Sequence, residues 1–224
     1  TLHVEDCTVD AAYNVVYDSH NTQNFKSVYF GNSIVKMTVA NKPFYSTKSK
    51  GAYTQQSIRL ENNVFYAETP LQNYLINCGD RSQAFQTTRL QVEVTNNTIY
   101  NIYQPNIMIR AYVLAGLTVT KNVGYYTGVT AKNYLTGVYD TAGFTADKAE
   151  VTYNYLYTAP VSDTNFWSAK HTGSYTPANN QMGDGVEAPF SSMDAAKGYF
   201  PVDASVVKTG AGATYDTKAW FKAE

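Results

Sequence analysis

One segment recurs along this chain with the same internal spacing, and this repeat is the feature that most constrains the fold. Apolar residues lie five and three positions before a central residue, and a small or apolar residue usually lies two positions after it. The copies are Leu2, Val4, Cys7 and Val9; Ile58, Leu60, Asn63 and Phe65; Val92, Val94, Asn97 and Ile99; Leu117, Val119, Asn122 and Gly124; and Ala149, Val151, Asn154 and Leu156. Because one short strand cannot bury its apolar face alone, the repeat predicts strands stacked in successive coils.

The apolar residues alternate with a period of two, which indicates strands rather than helices. The central Asn residues are 34, 25 and 32 positions apart, so the strand is retained while the loops vary in length. Stacked amides about 4.8 Å apart can hydrogen-bond along the axis of such a stack. We therefore predict a structural ladder of Asn63, Asn97, Asn122 and Asn154. Asn also tolerates the left-handed backbone of a sharp corner.

A second segment follows each ladder position after 10, 9, 11 and 11 residues, and it consists of an Asn and two bulky residues. Its members are Asn73, Tyr74 and Leu75; Asn106, Ile107 and Met108; Asn133, Tyr134 and Leu135; and Asn165, Phe166 and Trp167. Two strands per coil at a nearly constant offset predict an all-β fold, a parallel β-helix of about six coils.

Two further patterns bear on the register of the strands. Tyr66, Tyr100, Tyr125 and Tyr157 each lie three positions after a ladder residue, which predicts an aromatic column stacked on successive coils. One copy, Val35, Met37, Asn41 and Phe44, aligns only after a one-residue slip, and we interpret the slip as a bulge or insertion.

Composition limits the possible partners and compartments. The 224 residues are 44% hydrophobic, enough for the core of one elongated domain, which we expect to be monomeric. Seventeen basic and 18 acidic residues give a formal net charge of −1, which argues against nucleic acid or an anionic membrane as a partner. The sequence has no run of 18 apolar residues, so we predict no transmembrane segment in this chain. Thr1 lies inside a strand repeat, so we expect further domains upstream.

Cys7 and Cys78 are the two cysteines of the chain. Zinc sites need several ligands clustered at short spacing, and these two thiols are isolated from each other in the sequence. We therefore expect buried free thiols and no structural metal.

The chain has two compositional regions, coils over residues 1–171 and a segment rich in Gly, Pro, Ala and Ser over residues 172–224. An open end of a solenoid leaves apolar cross-section and unpaired strand edges to be covered. We therefore expect residues 172–224 to form a C-terminal cap of the same domain. Within it, residues 193–199 are predicted to form a short helix with Ser191 or Ser192 as its N-cap.

The strand endings ENNVFY, TNNTIY and TKNVGYY, with the tail GYFPVDASVVKTGAGATYD, resemble right-handed parallel β-helix proteins of the pectate-lyase-like superfamily. Within that superfamily the chain is most similar to secreted or surface proteins of Bacteroidetes. The resemblance implies a right-handed helix, an extracellular or outer-membrane location, and a polysaccharide as partner. It does not assign a reaction.

Cleavage of a uronic-acid polymer by β-elimination needs a base, commonly Lys or Arg, and often calcium held by carboxylates. Arg81, Arg110, Lys132 and Lys170, with His171 beside the last, are the candidate bases. The candidate calcium ligands occur singly; they are Asp80, Asp140, Asp147 and Glu150. The sequence contains no Asp-Asp pair of the kind that a hydrolase site would need. Catalytic residues are therefore not assigned, and a lyase that uses calcium is kept as an alternative function.

Strand alternation suggests a binding surface instead. If Leu75, Met108 and Leu135 face the core, Tyr74, Ile107, Tyr134 and Phe166 face outward, near Arg81, Arg110 and Lys170; the opposite facing is the alternative, since both columns are apolar. Aromatic side chains stack on sugar rings, and cations pair with uronate or sulfate groups. The predicted carbohydrate-binding residues of this strip are Tyr74, Arg81, Arg110, Tyr134, Phe166 and Lys170. Coverage of the strip by long loops, and a purely structural adhesion module, are the alternatives.

Overall fold

The structure is a computed structural model, and it describes residues 1–11, 16–18, 25–47, 55–78, 89–103, 109–111, 114–125, 149–157, 178–182 and 186–214. The described regular elements are all β-strands. They are β1 (Leu2–Glu5), β2 (Thr8–Ala11), β3 (Val16–Asp18), β4 (Ser27–Gly31), β5 (Ile34–Met37), β6 (Tyr45–Thr47), β7 (Gln55–Glu61), β8 (Val64–Gln72), β9 (Ile76–Cys78), β10 (Arg89–Thr95), β11 (Thr98–Tyr103), β12 (Ile109–Ala111), β13 (Leu114–Thr120), β14 (Val123–Tyr125), β15 (Ala149–Thr152), β16 (Tyr155–Tyr157) and β17 (Gln181–Met182).

The strands form three parallel sheets, and consecutive strands of the chain belong to different sheets, except β16 and β17, which pair with each other in one sheet. Sheet A has the order β1-β4-β7-β10-β13-β15, sheet B the order β17-β16-β14-β11-β8-β5-β2, and sheet C the order β12-β9-β6-β3. We call a set of consecutive strands from sheets A, B and C, such as β7, β8 and β9, a coil. The arrangement is compatible with a parallel β-helix, and it has three sheets where the sequence predicted two strands per coil.

The register of sheet A places equivalent repeat residues side by side. Val92 pairs with Ile58 on one neighbouring strand and with Leu117 on the other. These residues and the apolar residues two positions along face inward, where Ile58, Leu60, Val92, Val94, Leu117 and Val119 are fully buried. Each side chain of this size contributes about 1.5–3 kcal/mol when it is removed from water. The repeat thus builds one continuous core between the sheets.

Each strand of sheet A is joined to the next strand of sheet B by a two-residue corner whose first residue has a left-handed backbone. Those first residues are Asp6, Asn32, Asn62, Asn96, Lys121 and Tyr153, with φ between 49° and 58°. The N–H of Asn62 donates to the carbonyl of Thr95 on the next coil at 3.0 Å. The left-handed residue therefore precedes the ladder residue, so the expectation that the ladder Asn itself adopts this backbone is wrong by one position.

The second residue of each corner forms a ladder of side-chain hydrogen bonds. The N–H of Asn63 donates to Oδ1 of Asn97 at 3.0 Å, and the same two atoms recur from Asn97 to Asn122 at 2.9 Å and from Asn122 to Asn154 at 3.0 Å. Each Nδ2 also donates to that oxygen and to a backbone carbonyl of the preceding coil, such as that of Leu60 for Asn97. The four Asn residues have no exposed surface.

The ladder extends beyond the four residues singled out by the sequence. The N–H of Asn154 donates to Oδ1 of Asn180 at 2.9 Å, and the N–H of Ser33 donates to Oδ1 of Asn63 at 3.0 Å. Ser33 Oγ in turn accepts from the N–H of Cys7 at 3.1 Å, so Cys7 occupies the same column. Ser33 was overlooked because it carries a short hydroxyl side chain in place of an amide, and Asn180 precedes β17, a strand of two residues that is too short to show alternation.

The one-residue slip inferred for Val35, Met37, Asn41 and Phe44 is wrong. Val35 lies in β5 and pairs with Phe65 of sheet B, whereas Val28 and Phe30 of β4 pair with Ile58 and Leu60 of sheet A. Val28, Phe30, Ser33 and Val35 are therefore the missing copy, in the same frame as the others. No bulge is needed at this coil.

Residues 186–214, which we call the C-terminal strap, pack along the outer face of sheet B. Phe200 is fully buried against Tyr66 and Tyr100, and Val207 and Ala211 are buried against Val123 and Tyr155. The described part of the tail therefore covers the side of the stack, and the C-terminal cap over residues 172–224 stays a prediction. The predicted boundary at residue 171 lies outside the described residues.

The strap is held to successive corners by hydrogen bonds that follow the axis of the stack. The N–H of Gly212 donates to the carbonyl of Lys121, that of Ala213 to Oγ1 of Thr98, and that of Thr214 to Oδ1 of Asn62. Residues 195–198 form a turn, closed by a bridge between Asp194 and Tyr199, so the predicted helix over residues 193–199 is wrong. Gly198 has a φ of +65°, a left-handed backbone that allows the tight turn and is incompatible with a continuous α-helix.

Candidate functional site

The outer face of sheet A is a polar surface, and its residues alternate with the core residues of the same strands. Its first row, in register across the sheet, is His3, Tyr29, Arg59, Glu93, Thr118 and Glu150. Its second row is Glu5, Gly31, Glu61, Thr95, Thr120 and Thr152. We call these two rows the sheet A face. Because neighbouring strands lie about 4.8 Å apart, the rows present side chains at regular intervals along the axis.

Three side chains of the first row form a stack along that axis. The rings of His3 and Tyr29 lie 4.6 Å apart between centroids, and Cζ of Arg59 lies 5.6 Å from the Tyr29 centroid on the coil after it. Gly31 makes room for this stack, since a Cβ there would overlap the Tyr29 hydroxyl. The stack holds an aromatic ring and a cation at defined positions on this polar surface.

Arg59 also forms ion pairs with two carboxylates of the face. Its Nη2 lies 2.7 Å from Glu61 and its Nε lies 3.6 Å from Glu93. Since all three side chains are partly exposed, each pair contributes at most about 1 kcal/mol to stability. Burial raises the pKa of Tyr29, and the charges of Glu61 and Glu5 raise it further, so this hydroxyl stays protonated at neutral pH.

The balance of charge on the sheet A face is acidic. Arg59 is the permanent cation of the two rows, against the carboxylates of Glu5, Glu61, Glu93 and Glu150. Such a surface repels anions and presents acceptors to hydroxyl groups. On the later coils the face is hydroxylic: Oγ1 of Thr120 lies 3.1 Å from Oγ1 of Thr152, which donates to Glu150 at 3.2 Å.

The outer face of sheet B carries the predicted tyrosine column, and the strap lies over it. Tyr125 stacks on Tyr100 at 5.4 Å and on Tyr157 at 4.9 Å, while Phe200 of the strap stacks on Tyr100 at 4.2 Å. Burial raises the pKa of Tyr66, Tyr100 and Tyr125. The column therefore serves packing between sheet B and the strap.

The structure describes only a part of the predicted strip. Tyr74 is half-buried in the segment between β8 and β9, where its backbone N–H donates to Oδ1 of Asn73 at 2.9 Å. Arg110 lies in β12, in register with Asn77 of sheet C. Arg81, Tyr134, Phe166 and Lys170 lie outside the described residues, so the strip stays a prediction.

Other predicted chemistry is placed only in part. Within the described ranges, no three His, Cys, Asp or Glu residues lie close enough together to hold a metal ion. Cys7 is a free, half-buried thiol whose Sγ donates to the carbonyl of Glu5 at 3.2 Å. Cys78 lies in β9. Glu150 lies on the sheet A face, and the other candidate lyase residues except Arg110 lie outside the described residues.

Comparison of the chain with protein-family models, curated proteins and solved structures gives no significant match. No helix in the described part of the chain is long and apolar enough to cross a membrane. The sheet A face was missed by sequence reasoning, although its signal is present. In β1, β4, β7 and β10 the residues between the apolar positions alternate with the core residues. They include the charged residues Glu5, Arg59, Glu61 and Glu93.

Proposed function

We propose that the chain is a right-handed parallel β-helix of about six coils, of the pectate-lyase-like kind, that binds polysaccharide outside the cell. Parallel pairing in three sheets and the ladder of Asn63, Asn97, Asn122 and Asn154 support the architecture. The extracellular or outer-membrane location and the carbohydrate partner follow from the resemblance of the sequence.

One observation supports the sheet A face as the binding surface: it is polar, and its functional groups recur along the axis at the spacing of the strands. A linear polymer with regularly placed hydroxyl groups can hydrogen-bond to such an array over several coils. By contrast, sheet B is covered by the strap, with Tyr66 and Tyr100 at most 7% exposed. The His3 and Tyr29 rings add edges and apolar surface for sugar C–H groups.

The acidic balance of this face favours a neutral polysaccharide over a polyuronate. Arg59 is already paired with Glu61 and Glu93, so a uronate carboxylate would have to displace one of them. A neutral glycan instead donates its hydroxyl hydrogens to the carboxylates, in charge-assisted hydrogen bonds that are stronger than neutral ones. The proposed preference for a neutral glycan over a polyuronate therefore follows from the excess of carboxylates on the sheet A face.

Affinity electrophoresis tests this function. The protein is run in native gels containing a neutral glycan such as glucomannan, xyloglucan or galactan, and in gels containing polygalacturonate, each with and without calcium. We expect retardation by at least one neutral glycan, weakened about fivefold or more by Glu93→Gln and by Tyr29→Ala. Glu68→Gln is the matched control, since Glu68 is exposed on β8 of sheet B and pairs with Lys36.

A lyase that cleaves uronic-acid glycans by β-elimination is the alternative, and unsaturated uronate products released from polygalacturonate would establish it. Retention only by anionic glycans would favour the predicted strip of Tyr74, Arg81, Arg110, Tyr134, Phe166 and Lys170 over the sheet A face. No retention by any glycan would contradict the function and leave the structural adhesion module.

A further inference from the structure

An open pocket of about 440 Å³, which we call the cavity, lies between the last described coil and the strap, on the side of sheet B. Tyr155, Asn180 and Gln181 line it from the coil, and Glu187, Ser205 and Lys208 line it from the strap. Its volume is in the range of sites that bind small molecules. The cavity is separate from the sheet A face, because its coil residues belong to the corner and strands of sheet B.

Two contacts fix the walls of this cavity. The hydroxyl of Tyr155 donates to the backbone carbonyl of Glu187 at 2.8 Å, which ties the strap to the coil at the edge of the cavity. Oδ1 of Asn180 accepts two hydrogen bonds from Asn154, and its Nδ2 donates to the carbonyl of Val151 at 2.9 Å. The ladder therefore positions the wall, and the amide of Asn180 is already engaged.

Other polar groups of the lining remain available to a ligand. Within the described part of the chain, the side chains of Gln181, Glu187 and Lys208 form no hydrogen bond or ion pair. Ser205 Oγ donates to Oδ1 of Asp203 at 2.6 Å and keeps its lone pairs as acceptors. An ammonium group, a carboxylate, an amide and a hydroxyl thus surround one space.

This combination of groups selects a class of ligand. Lys208 offers donors only, Glu187 acceptors only, and Gln181 both. An anionic ligand would meet the carboxylate of Glu187, and a cationic one the ammonium of Lys208. A neutral polyol satisfies all three, since each hydroxyl both donates and accepts, and the partly exposed side chains of Val186 and Val206 supply apolar lining for a sugar C–H face.

We propose that this cavity is a second carbohydrate site, which binds one neutral glycosyl residue such as a chain end or a branch. The proposal rests on the proposed function, because it assumes that the natural ligand is a glycan. A polymer held along the sheet A face and a single residue held beside the strap would make two independent contacts with the same glycan.

Titration calorimetry and saturation-transfer NMR with methyl glycosides of glucose, galactose, mannose and N-acetylglucosamine test the site, with sodium galacturonate as the charged comparison. We expect saturable binding of at least one neutral glycoside, weakened about fivefold or more by Lys208→Ala and by the isosteric Glu187→Gln. Lys26→Ala is the matched control, since Lys26 is exposed, does not line the cavity and directly precedes β4 of sheet A, whereas the cavity lies beside the last described coil. Circular dichroism confirms that each variant is folded.

The outcomes separate this proposal from the proposed function. Absence of saturable glycoside binding, or binding that neither cavity variant weakens, overturns the cavity site even where glycan gels still retard the protein. Glycoside binding that both variants weaken supports it. If such binding occurs in a protein that no polymer retards, the cavity stands and the polymer surface on sheet A is wrong.

Discussion

The side-chain oxygen of Asn122 accepts two hydrogen bonds from Asn97, one from the backbone N–H at 2.9 Å and one from the side-chain amide at 3.0 Å. Both residues are fully buried, and the same contact recurs on neighbouring coils. The side chain of one coil thereby satisfies the backbone of the coil before it. A buried backbone donor that lacks such a partner costs about 1–3 kcal/mol.

Replacement of a ladder residue should therefore be costly. We expect Asn97→Ala to lower the free energy of unfolding by about 2–4 kcal/mol, because the buried N–H of Asn63 loses its acceptor. Urea denaturation at 25 °C measures the change. Gln181→Ala removes an exposed amide instead and should change stability by about 0.5 kcal/mol or less. Equal effects of the two substitutions would contradict a stabilising ladder.

The strap should depend on one aromatic anchor. Phe200 is fully buried against Tyr66 and Tyr100, so Phe200→Ala should cost about 3–5 kcal/mol and expose amides of residues 186–214 to hydrogen exchange. Met193, in the same strap, is 50% exposed, and Met193→Ala should leave both measurements nearly unchanged. Unchanged exchange in the Phe200 variant would show that the strap is held by other contacts.

Two glycines of the strap allow backbone and steric effects to be separated. Gly210 and Gly212 both have positive φ, at 66° and 93°. A Cβ at Gly210 meets open space, whereas one at Gly212 would lie 2.6 Å from Cγ2 of Val202 and 3.0 Å from Cγ2 of Val123. We expect Gly210→Ala to cost about 1 kcal/mol and Gly212→Ala about 3 kcal/mol in thermal or urea unfolding. Similar costs would mean that the strap can move away from sheet B.

Stability should fall in alkaline solution. Burial raises the pKa of Tyr66, Tyr100, Tyr125 and Tyr155 in the folded protein above the usual value of 10.0. The unfolded chain then loses these protons first, so the stabilisation is complete below pH 10 and is lost as the pH rises through the raised pKa values. Unfolding monitored between pH 8 and 12, with tyrosinate absorbance, measures this loss.

A substitution identifies the tyrosines responsible. Tyr100→Phe removes one buried hydroxyl that would have to ionise, so its stability should decline less steeply above pH 10 than that of the unsubstituted protein. Tyr153→Phe is the control, because Tyr153 is 40% exposed and should leave the slope unchanged. A Tyr100 variant with an unchanged slope would place the alkaline sensitivity elsewhere.

The sequence predicted parallel strands because its strongest signal is local and repeated. Val92, Val94 and Asn97 recur at the same spacing as Ile58, Leu60 and Asn63, and equal spacing produces equal register in a parallel sheet. The copy with Ser33 was missed because a hydroxyl replaces the amide, although Ser33 Oγ fills the same position in the column. Hydrogen bonding, not residue type, defines the column.

The location of the strap and of the sheet A face could not be predicted in the same way. Phe200 is 100 residues from Tyr100 in the sequence, and no periodicity relates them. The stack of His3, Tyr29 and Arg59 likewise depends on the loop lengths that separate their strands. Patterns within a strand predict burial, but contacts between distant segments follow from the way the whole chain packs.

The backbone N–H groups of the ladder residues all donate in one direction, to the side-chain oxygen of the coil that follows in the chain. During synthesis, each coil leaving the ribosome therefore carries buried donors that only the coil made next can satisfy. Loss of a later coil leaves the ladder N–H of the coil before it without an acceptor, whereas loss of an earlier coil removes one carbonyl acceptor of the next ladder amide, as that of Leu60 for Asn97. A chain truncated after any coil should therefore expose an unsatisfied backbone donor at its last corner.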